Sequence, residues 1–315
     1  MKKKIFVSGS IAYDYIMRYK GTFSDTFLSE HLEHINIAFT ARDKILHYGG
    51  CGGNIAYSLS MLDVNPLLYG VVGTDFNEYE KRLKKNRISL KHIGRSNNDF
   101  TATAYVLTDD KENQLTFFAP GAMESMNDEV ELNEVDLLDI EIAILSPDVC
   151  KRTIKLAHKL MEAEIPYIFD PGQMTPAFEL EDLKFLLKSA FGFIANRYEV
   201  ELLCNRLNIN VDDIVNKVPL FIETRGENGS ILRKGSETHK IPIAKPDQIE
   251  DPTGCGDAFR SGLLFGIMKG YDHVKACKVG ALAASYVVEN SGTQSHEFKF
   301  KHFAKRFEEN FGEKL

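Results

Sequence analysis

The stretch Asp251-Pro252-Thr253-Gly254-Cys255-Gly256-Asp257 sets two glycines before an acid and opens the apolar run 258–265. Glycines let a backbone come close to a ligand and turn several N–H groups toward it. A helix starting there adds unsatisfied N–H groups and a positive dipole end, which favour an anion such as a phosphoryl group. Asp257 would then stand where a hydroxyl nucleophile must give up its proton, which suits phosphoryl transfer better than binding alone. The same spacing also describes an ordinary helix start with an acid in its first turn, and in isolation that is its commoner meaning.

Other constellations add to this one. Gly49-Gly50-Cys51-Gly52-Gly53-Asn54 precedes a helical pattern, so Asn54 can donate and accept at a helix start with the backbone close by. The Gly-x-Gly-x-x-Gly spacing of a dinucleotide site is not met, and tight helix packing explains such glycines equally well. Asp14 follows the turn Ser8-Gly9-Ser10 and can take two sugar hydroxyls at once, or cap a helix. Asn196 and Glu199 follow a strand at a spacing that suits Mg²⁺ held through water and equally a capping box. Thr224-Arg225-Gly226 forms a turn that can meet nucleotide phosphates or merely join two strands. The Gly-x-x-x-x-Gly-Lys loop, the His-Glu-x-x-His helix and the Gly-x-Ser-x-Gly elbow are missing from the sequence.

Residues 5–7, 67–72, 142–145, 167–169, 193–195 and 220–223 read as strands. Residues 55–62, 79–85, 153–161, 182–188, 199–207 and 274–288 read as helices by their apolar spacing. Alternating strands and helices predict an α/β fold, a doubly wound, mostly parallel sheet with helices on both faces, its ligand sites beyond the strand carboxyl ends. Segments 15–48 and 100–120 break the alternation, and 101–108 with 115–118 reads as a hairpin. Together they predict a small β-sheet lid on a single domain of residues 1–315. The charged, amphipathic tail 296–315 reads as a surface helix.

At 315 residues with 43% hydrophobic and 26% charged residues, the composition is that of a globular protein. A formal net charge of −7 argues against nucleic acid as a partner. Five scattered cysteines argue for a reducing compartment and against a thiolate metal site. The basic start Met1-Lys2-Lys3-Lys4 outlines a signal peptide, but Ser8-Gly9-Ser10 and Asp14 interrupt its apolar region. No run approaches the ~18 apolar residues of a membrane span. A cytoplasmic protein without a membrane partner is expected.

Taken in order, Asp14, the glycine run ending in Asn54, Asn196-x-x-Glu199, Thr224-Arg225-Gly226 and the Asp251 to Asp257 motif resemble the ribokinase (PfkB-type) carbohydrate kinase superfamily over essentially the whole chain. Ser8-Gly9-Ser10-Ile11-Ala12, Pro120-Gly121-Ala122-Met123, Asp170-Pro171-Gly172-Gln173, Arg260 and Ser291-Gly292-Thr293-Gln294 are similar to bacterial adenosine kinases. The resemblance implies a kinase that uses ATP and Mg²⁺ to phosphorylate a nucleoside 5′-hydroxyl, adenosine first. It implies Asp257 as general base and the backbone of Gly254, Cys255 and Gly256 as anion hole. Asp14, Gly50 and Asn54 would hold the ribose, with Ser10, Phe118 and Gln173 near the base. Asn196 and Glu199 would serve Mg·ATP, Glu199 through water, while Thr224, Arg225 and Gly226 line the nucleotide site. The loop at Asp251 often shapes a monovalent-cation site in this superfamily, which makes potassium a candidate ion.

Two alternatives stay open at this level. A sugar kinase of ribokinase or fructokinase type would use the same ribose-binding residues. A catalytically inactive nucleotide- or sugar-binding regulator would not need Asp257 beside a complete glycine loop. Ala38 and Ala104 stand where a hydroxyl and an aromatic ring against the base are expected, leaving Phe39, Tyr105 and Phe117 as nearby aromatic candidates. The lid segments suit a cover or a homodimer interface equally.

Overall fold

The computed structural model describes residues 4–26 and 37–315. Within them, nine strands form one sheet: β1 (Lys4–Ser8), β4 (Leu67–Val72), β5 (Ile93–Arg95), β8 (Ile140–Leu145), β9 (Tyr167–Phe169), β10 (Gly192–Asn196), β11 (Leu220–Thr224), β12 (Ser230–Lys234) and β13 (Glu237–Ile241). Their order is β13-β12-β11-β10-β9-β8-β1-β4-β5, parallel from β5 through β11, with β12 and β13 antiparallel at one edge. The inner strands are apolar on both faces, as a sheet covered on both sides requires. Ile5 and Val7 of β1, Ile142 and Ile144 of β8 and Ile222 of β11 pack with helices Cys51–Met61, Cys255–Met268 and His273–Val288 on one face. Phe6, Ala143, Leu145 and Phe221 pack with helices Cys150–Glu162, Leu180–Ser189 and Arg197–Leu207 on the other.

A second sheet joins β2 (Ala12–Tyr19), β3 (Ala41–Gly49), β6 (Ala102–Thr108) and β7 (Gln114–Ala119) in the order β3-β2-β6-β7. The expected hairpin is β6 with β7, while β2 pairs parallel to β6, so this sheet is mixed. Residues 27–36 of the first expected lid segment lie outside the described residues. Register sets what this sheet presents. Asp14 pairs with His47 on one side and Ala104 on the other, and Ala104 pairs with Phe118, so these four share a face. The next register set, Tyr15, Leu46, Tyr105 and Phe117, shares the opposite face, where Tyr15 and Tyr105 stack at 5.5 Å between ring centroids. Tyr105 and Phe117 are therefore turned away from the Asp14 face. Phe39 packs instead on Tyr19 and Phe23 at 4.9 and 5.5 Å, and Ala38 is exposed. None of the three aromatic candidates lines the cleft described below.

The tail forms helix Phe300–Phe311 and buries Phe303 and Phe307 while its charged face stays in water. No helix among the described residues is long and apolar enough to cross a membrane. All five cysteines are unpaired.

Candidate active site

Helix Cys255–Met268 begins at Gly254, whose φ of 84° lies in the left-handed region. A Cβ there would also sit 2.9 Å from the Cβ of Thr293, so conformation and space both demand glycine. Among the described residues, the N–H groups of Gly256 and Asp257 find no backbone acceptor, leaving them free at the positive end of the helix. The Cys255 thiol points elsewhere, toward the carbonyl of Ala284 at 3.6 Å. Replacing Gly254 by Ala is expected to cost about 1–2 kcal/mol for the left-handed backbone alone. Thermal denaturation should show the lower Tm together with reduced turnover.

Asp257 is half-buried at this turn. Asn54 Nδ2 donates to its Oδ2 at 2.8 Å, and Asn54 is held at the start of helix Cys51–Met61 behind Gly50. Gly50 has a φ of 83°, and a Cβ there would meet the carbonyl oxygen of Ser10 at 2.5 Å. Ser10 Oγ in turn accepts the Cys51 N–H at 3.0 Å, fixing that helix start against the end of β1. Burial pushes the Asp257 carboxyl up to about 6, opposed chiefly by Arg260 and by the Asn54 hydrogen bond. Asp14 is likewise pushed up to about 6, by burial first and then by the charge of Asp257. Two acids thus share one hollow, and the charge of Asp257 adds to the rise of Asp14.

Arg260 lies three residues beyond Asp257, on the same side of the helix. It grips Asp170 with two hydrogen bonds, Nη2 to Oδ1 at 2.6 Å and Nε to Oδ2, with both residues buried. Burial works against the charge of Arg260, yet Asp170, Asp257 and Glu199 together hold it above its ordinary range. Arg260 is thus the cation around which the site's acids are arranged. The i, i+3 acid–base spacing was a readable signal for it, whereas Asp170 comes from the distant end of β9.

A cleft of about 430 Å³ opens between the two sheets. Every residue expected at the acceptor lines it: Ser10, Asp14, Gly50, Asn54, Phe118 and Gln173, together with Gly254 and Asp257. The polar end holds Asp14, Asn54 and Asp257. Ala104, expected against the base, lines the rest of the wall with Met123, Pro147 and Met174, whose apolar surface sequence reasoning did not assign. Asp148 and Thr293 also reach this wall.

A second hollow, of about 560 Å³, gathers Asn196, Arg197, Tyr198, Thr224, Arg225, Gly226 and Asn228 at the ends of β10 and β11. Asn196 and Thr224 are register partners, which is why motifs far apart in sequence meet there. Asn196 and Glu199 form a full capping box: Glu199 N–H donates to Asn196 Oδ1 at 2.9 Å, and Asn196 N–H donates to Glu199 Oε2 at 2.8 Å. Glu199 Oε1 has no such bond, so one oxygen remains for a hydrated cation. Burial raises the Glu199 carboxyl, with Asp170 adding to the rise and Arg260 opposing it, so this hollow abuts the Arg260 cluster. Arg225 Nε donates to Glu223 at 2.6 Å, which aims its guanidinium along the same strand end. Among the described residues no three His, Cys, Asp or Glu side chains cluster as a ready-made metal site. The Glu199 carboxylate beside Asn196 fits a Mg²⁺ ion that shares its coordination with nucleotide phosphates. Asp251 accepts from the N–H groups of Thr253 at 2.9 Å and Gly292 at 3.2 Å, so both its oxygens shape the loop leading to Gly254.

An acid beside a helix start with free N–H groups, set between a doubly wound sheet and a small second sheet, suits a phosphotransferase. The chain belongs to the pfkB family of carbohydrate kinases, whose family model matches residues 3–299. It is 32% identical to a nucleoside kinase of Methanocaldococcus jannaschii over 93% of each chain. The solved structure of a nucleoside kinase from that organism superposes with a TM-score of 0.88 at 30% identity, covering 98% of both chains. A Burkholderia thailandensis nucleoside kinase in complex with inosine gives a TM-score of 0.85 at 32% identity, covering 98% of this chain and 99% of that one. A ribokinase of Thermotoga maritima, 20% identical, shares the fold with a TM-score of 0.81.

Proposed function

We propose that this chain transfers a phosphoryl group from Mg·ATP to the 5′-hydroxyl of a nucleoside, adenosine being the lead acceptor and ADP the second product. The observation that carries this reading is the apolar extension of the cleft, from Phe118 through Met123 and Met174, beyond the hydroxyl-binding end at Asp14 and Asn54. A free pentose needs the polar end alone, whereas a base needs a flat apolar wall. The nucleoside kinases at 30% identity or more support the same class. Ala104 stands in register with both Asp14 and Phe118, so the wall on the lid side is thin and tolerant. Inosine is therefore expected to turn over as well.

In this reading Asp14, Gly50 and Asn54 hold the ribose, and Ser10, Phe118 and Gln173 lie along the base. Asp257 accepts the 5′-hydroxyl proton as the O–P bond forms. The backbone N–H groups from Gly254 to Asp257 hold the transferring phosphoryl group, with Arg260 adding positive charge behind them. Asn196, Thr224, Arg225 and Gly226 line the nucleotide, and Glu199 would hold Mg²⁺ through water. Mg²⁺ supplies charge neutralisation between the phosphates when bound. The small sheet closes over the acceptor and keeps water from competing with it.

Coupled ADP release with Mg·ATP against adenosine, inosine, cytidine, ribose and fructose tests the proposal. Turnover with a nucleoside at a kcat/KM well above that of either sugar supports it. Preference for ribose or fructose would overturn it in favour of a sugar kinase, and tight nucleoside binding with no turnover would favour the regulator. The base must be ionised to act, and its carboxyl is raised to about 6. Activity is therefore expected to fall as pH drops through about 6, which a kcat profile from pH 5 to 8 reads directly.

A further inference from the structure

The segment Thr293-Gln294 crosses beneath Asn54 and fixes which way its amide faces. The fixing can be followed from a group that only donates to one that only accepts. Arg82 donates through Nε to Gln294 Oε1 at 3.3 Å, and a second guanidinium nitrogen bonds the Gln294 carbonyl. That leaves Gln294 Nε2 turned inward, where it donates to Asn54 Oδ1 at 3.1 Å and to the Tyr79 hydroxyl at 2.5 Å. Tyr79 passes its own proton to the Gly49 carbonyl at 2.8 Å, so it is free to accept from Gln294. Thr293 Oγ1 lies 2.8 Å from Asn54 Oδ1 and 2.9 Å from the Tyr48 carbonyl oxygen, and its single proton serves one of the two, so it is Gln294 that decides the Asn54 orientation. With its oxygen so occupied, Asn54 can only turn Nδ2 to Asp257. Reversing either amide would set donor against donor at Arg82 or oxygen against carboxylate at Asp257. Asn54, Tyr79, Thr293 and Gln294 are all buried, so water cannot repair a lost partner.

We propose that Gln294, oriented by Arg82, is a positioning residue for phosphoryl transfer: it holds the Asn54 amide so that its N–H donates to Asp257. The inference rests on Asp257 acting as general base. A hydrogen bond to the ionised form favours ionisation. Asp257 is otherwise faced by Asp14 from β2, Cys51 from the helix of Asn54, Asp170 from the end of β9 and Arg260 from its own helix. Of these, Arg260 is the one cation, so losing the Asn54 donor leaves burial and two acids less opposed. Asp257 should then keep its proton to higher pH.

Gln294→Met keeps the volume and removes both the donor and the acceptor. Gln294→Glu keeps the shape and the Arg82 partner but offers Asn54 no donor. In each variant the acid limb of the kcat profile is expected to move up by ~0.5–1 pH unit with KM for ATP unchanged. Added to Asn54→Ala, Gln294→Met should change the profile no further, because its effect runs through Asn54. The Asp257 carboxyl, assigned in ¹³C NMR spectra by its loss in Asp257→Asn, should titrate higher by the same amount. An unmoved Asp257 titration in either folded variant, or full additivity with Asn54→Ala, overturns the proposal. The NMR reading needs no turnover. If the unmodified chain phosphorylates nothing, the general-base reading fails, while an upward shift of Asp257 still supports the amide chain from Arg82.

Discussion

Asp257→Asn is expected to bind nucleoside nearly as the unmodified chain does and to turn it over about 10²–10⁴-fold more slowly. The substitution preserves size, and an amide oxygen can still accept from Asn54 Nδ2 across the present 2.8 Å. Nothing else along the ribose-binding end need move. What disappears is the acceptor for the 5′-hydroxyl proton. A carboxylate that titrates near 6 cannot generate a free alkoxide in the ground state. It can take the proton as the new O–P bond forms, when the hydroxyl becomes acidic, and this is the step the amide cannot perform. The variant also removes a half-buried charge next to Asp14, Cys51 and Asp170. Its Tm at pH 7 should therefore equal or exceed that of the unmodified chain. Calorimetric titration with adenosine, ADP release and thermal denaturation together separate lost chemistry from lost structure. Turnover within tenfold of normal would remove Asp257 from the reaction.

The layered fold was legible because its strands obey a simple rule: short runs apolar on both faces, separated by amphipathic stretches of helical length. Boundaries were less legible where glycine stood. Residues 51–54 read as a loop before a helix at 55, yet the helix begins at Cys51. Gly52 is helical because its Cα packs on the end of β1, where a Cβ would meet the Gly9 carbonyl oxygen at 2.6 Å. The sequence marks such a position as flexible when it is in fact crowded. Asp14, Asn54 and Asp257 stood out through their glycine-rich surroundings, and the cleft brings all three together. Which aromatic faces the cleft was not legible in the local pattern, and the family resemblance alone put Phe118 there. Phe117 and Phe118 are equivalent in sequence, and only the register through Ala104 to Asp14 puts Phe118 on the cleft side. The support of Asn54 was hidden for a different reason. Gln294 and Arg82 act across more than two hundred residues of chain, and nothing local in either stretch announces a hydrogen bond to the other.

Arg260→Met should be the most destabilising of the substitutions considered, by about 3–5 kcal/mol, the range for breaking a buried ion pair by removing one partner. Methionine fills much of the arginine's volume, so the loss measures charge more than cavity. Asp170 would remain buried with neither of its two guanidinium bonds, and Asp257 would lose its main opposing charge. Asp170 already sits above the usual carboxylate range because burial outweighs Arg260, and losing the arginine drives it further up. A group whose folded pKa exceeds its unfolded value lets the folded state bind the extra proton, so stability falls as pH rises between the two. The deficit in urea unfolding should therefore be smaller near pH 5 than near pH 8. Adding Asp170→Leu removes the orphaned carboxylate and should restore most of the stability, since an apolar pair in place of a buried ion pair is often neutral. Activity should not return with it, because Asp257 would still face Asp14 without Arg260 and would hold its proton at neutral pH. Recovery of both stability and turnover in the double variant would show that Arg260 serves only to neutralise Asp170. Recovery of stability alone would tie the arginine to the charge of the general base.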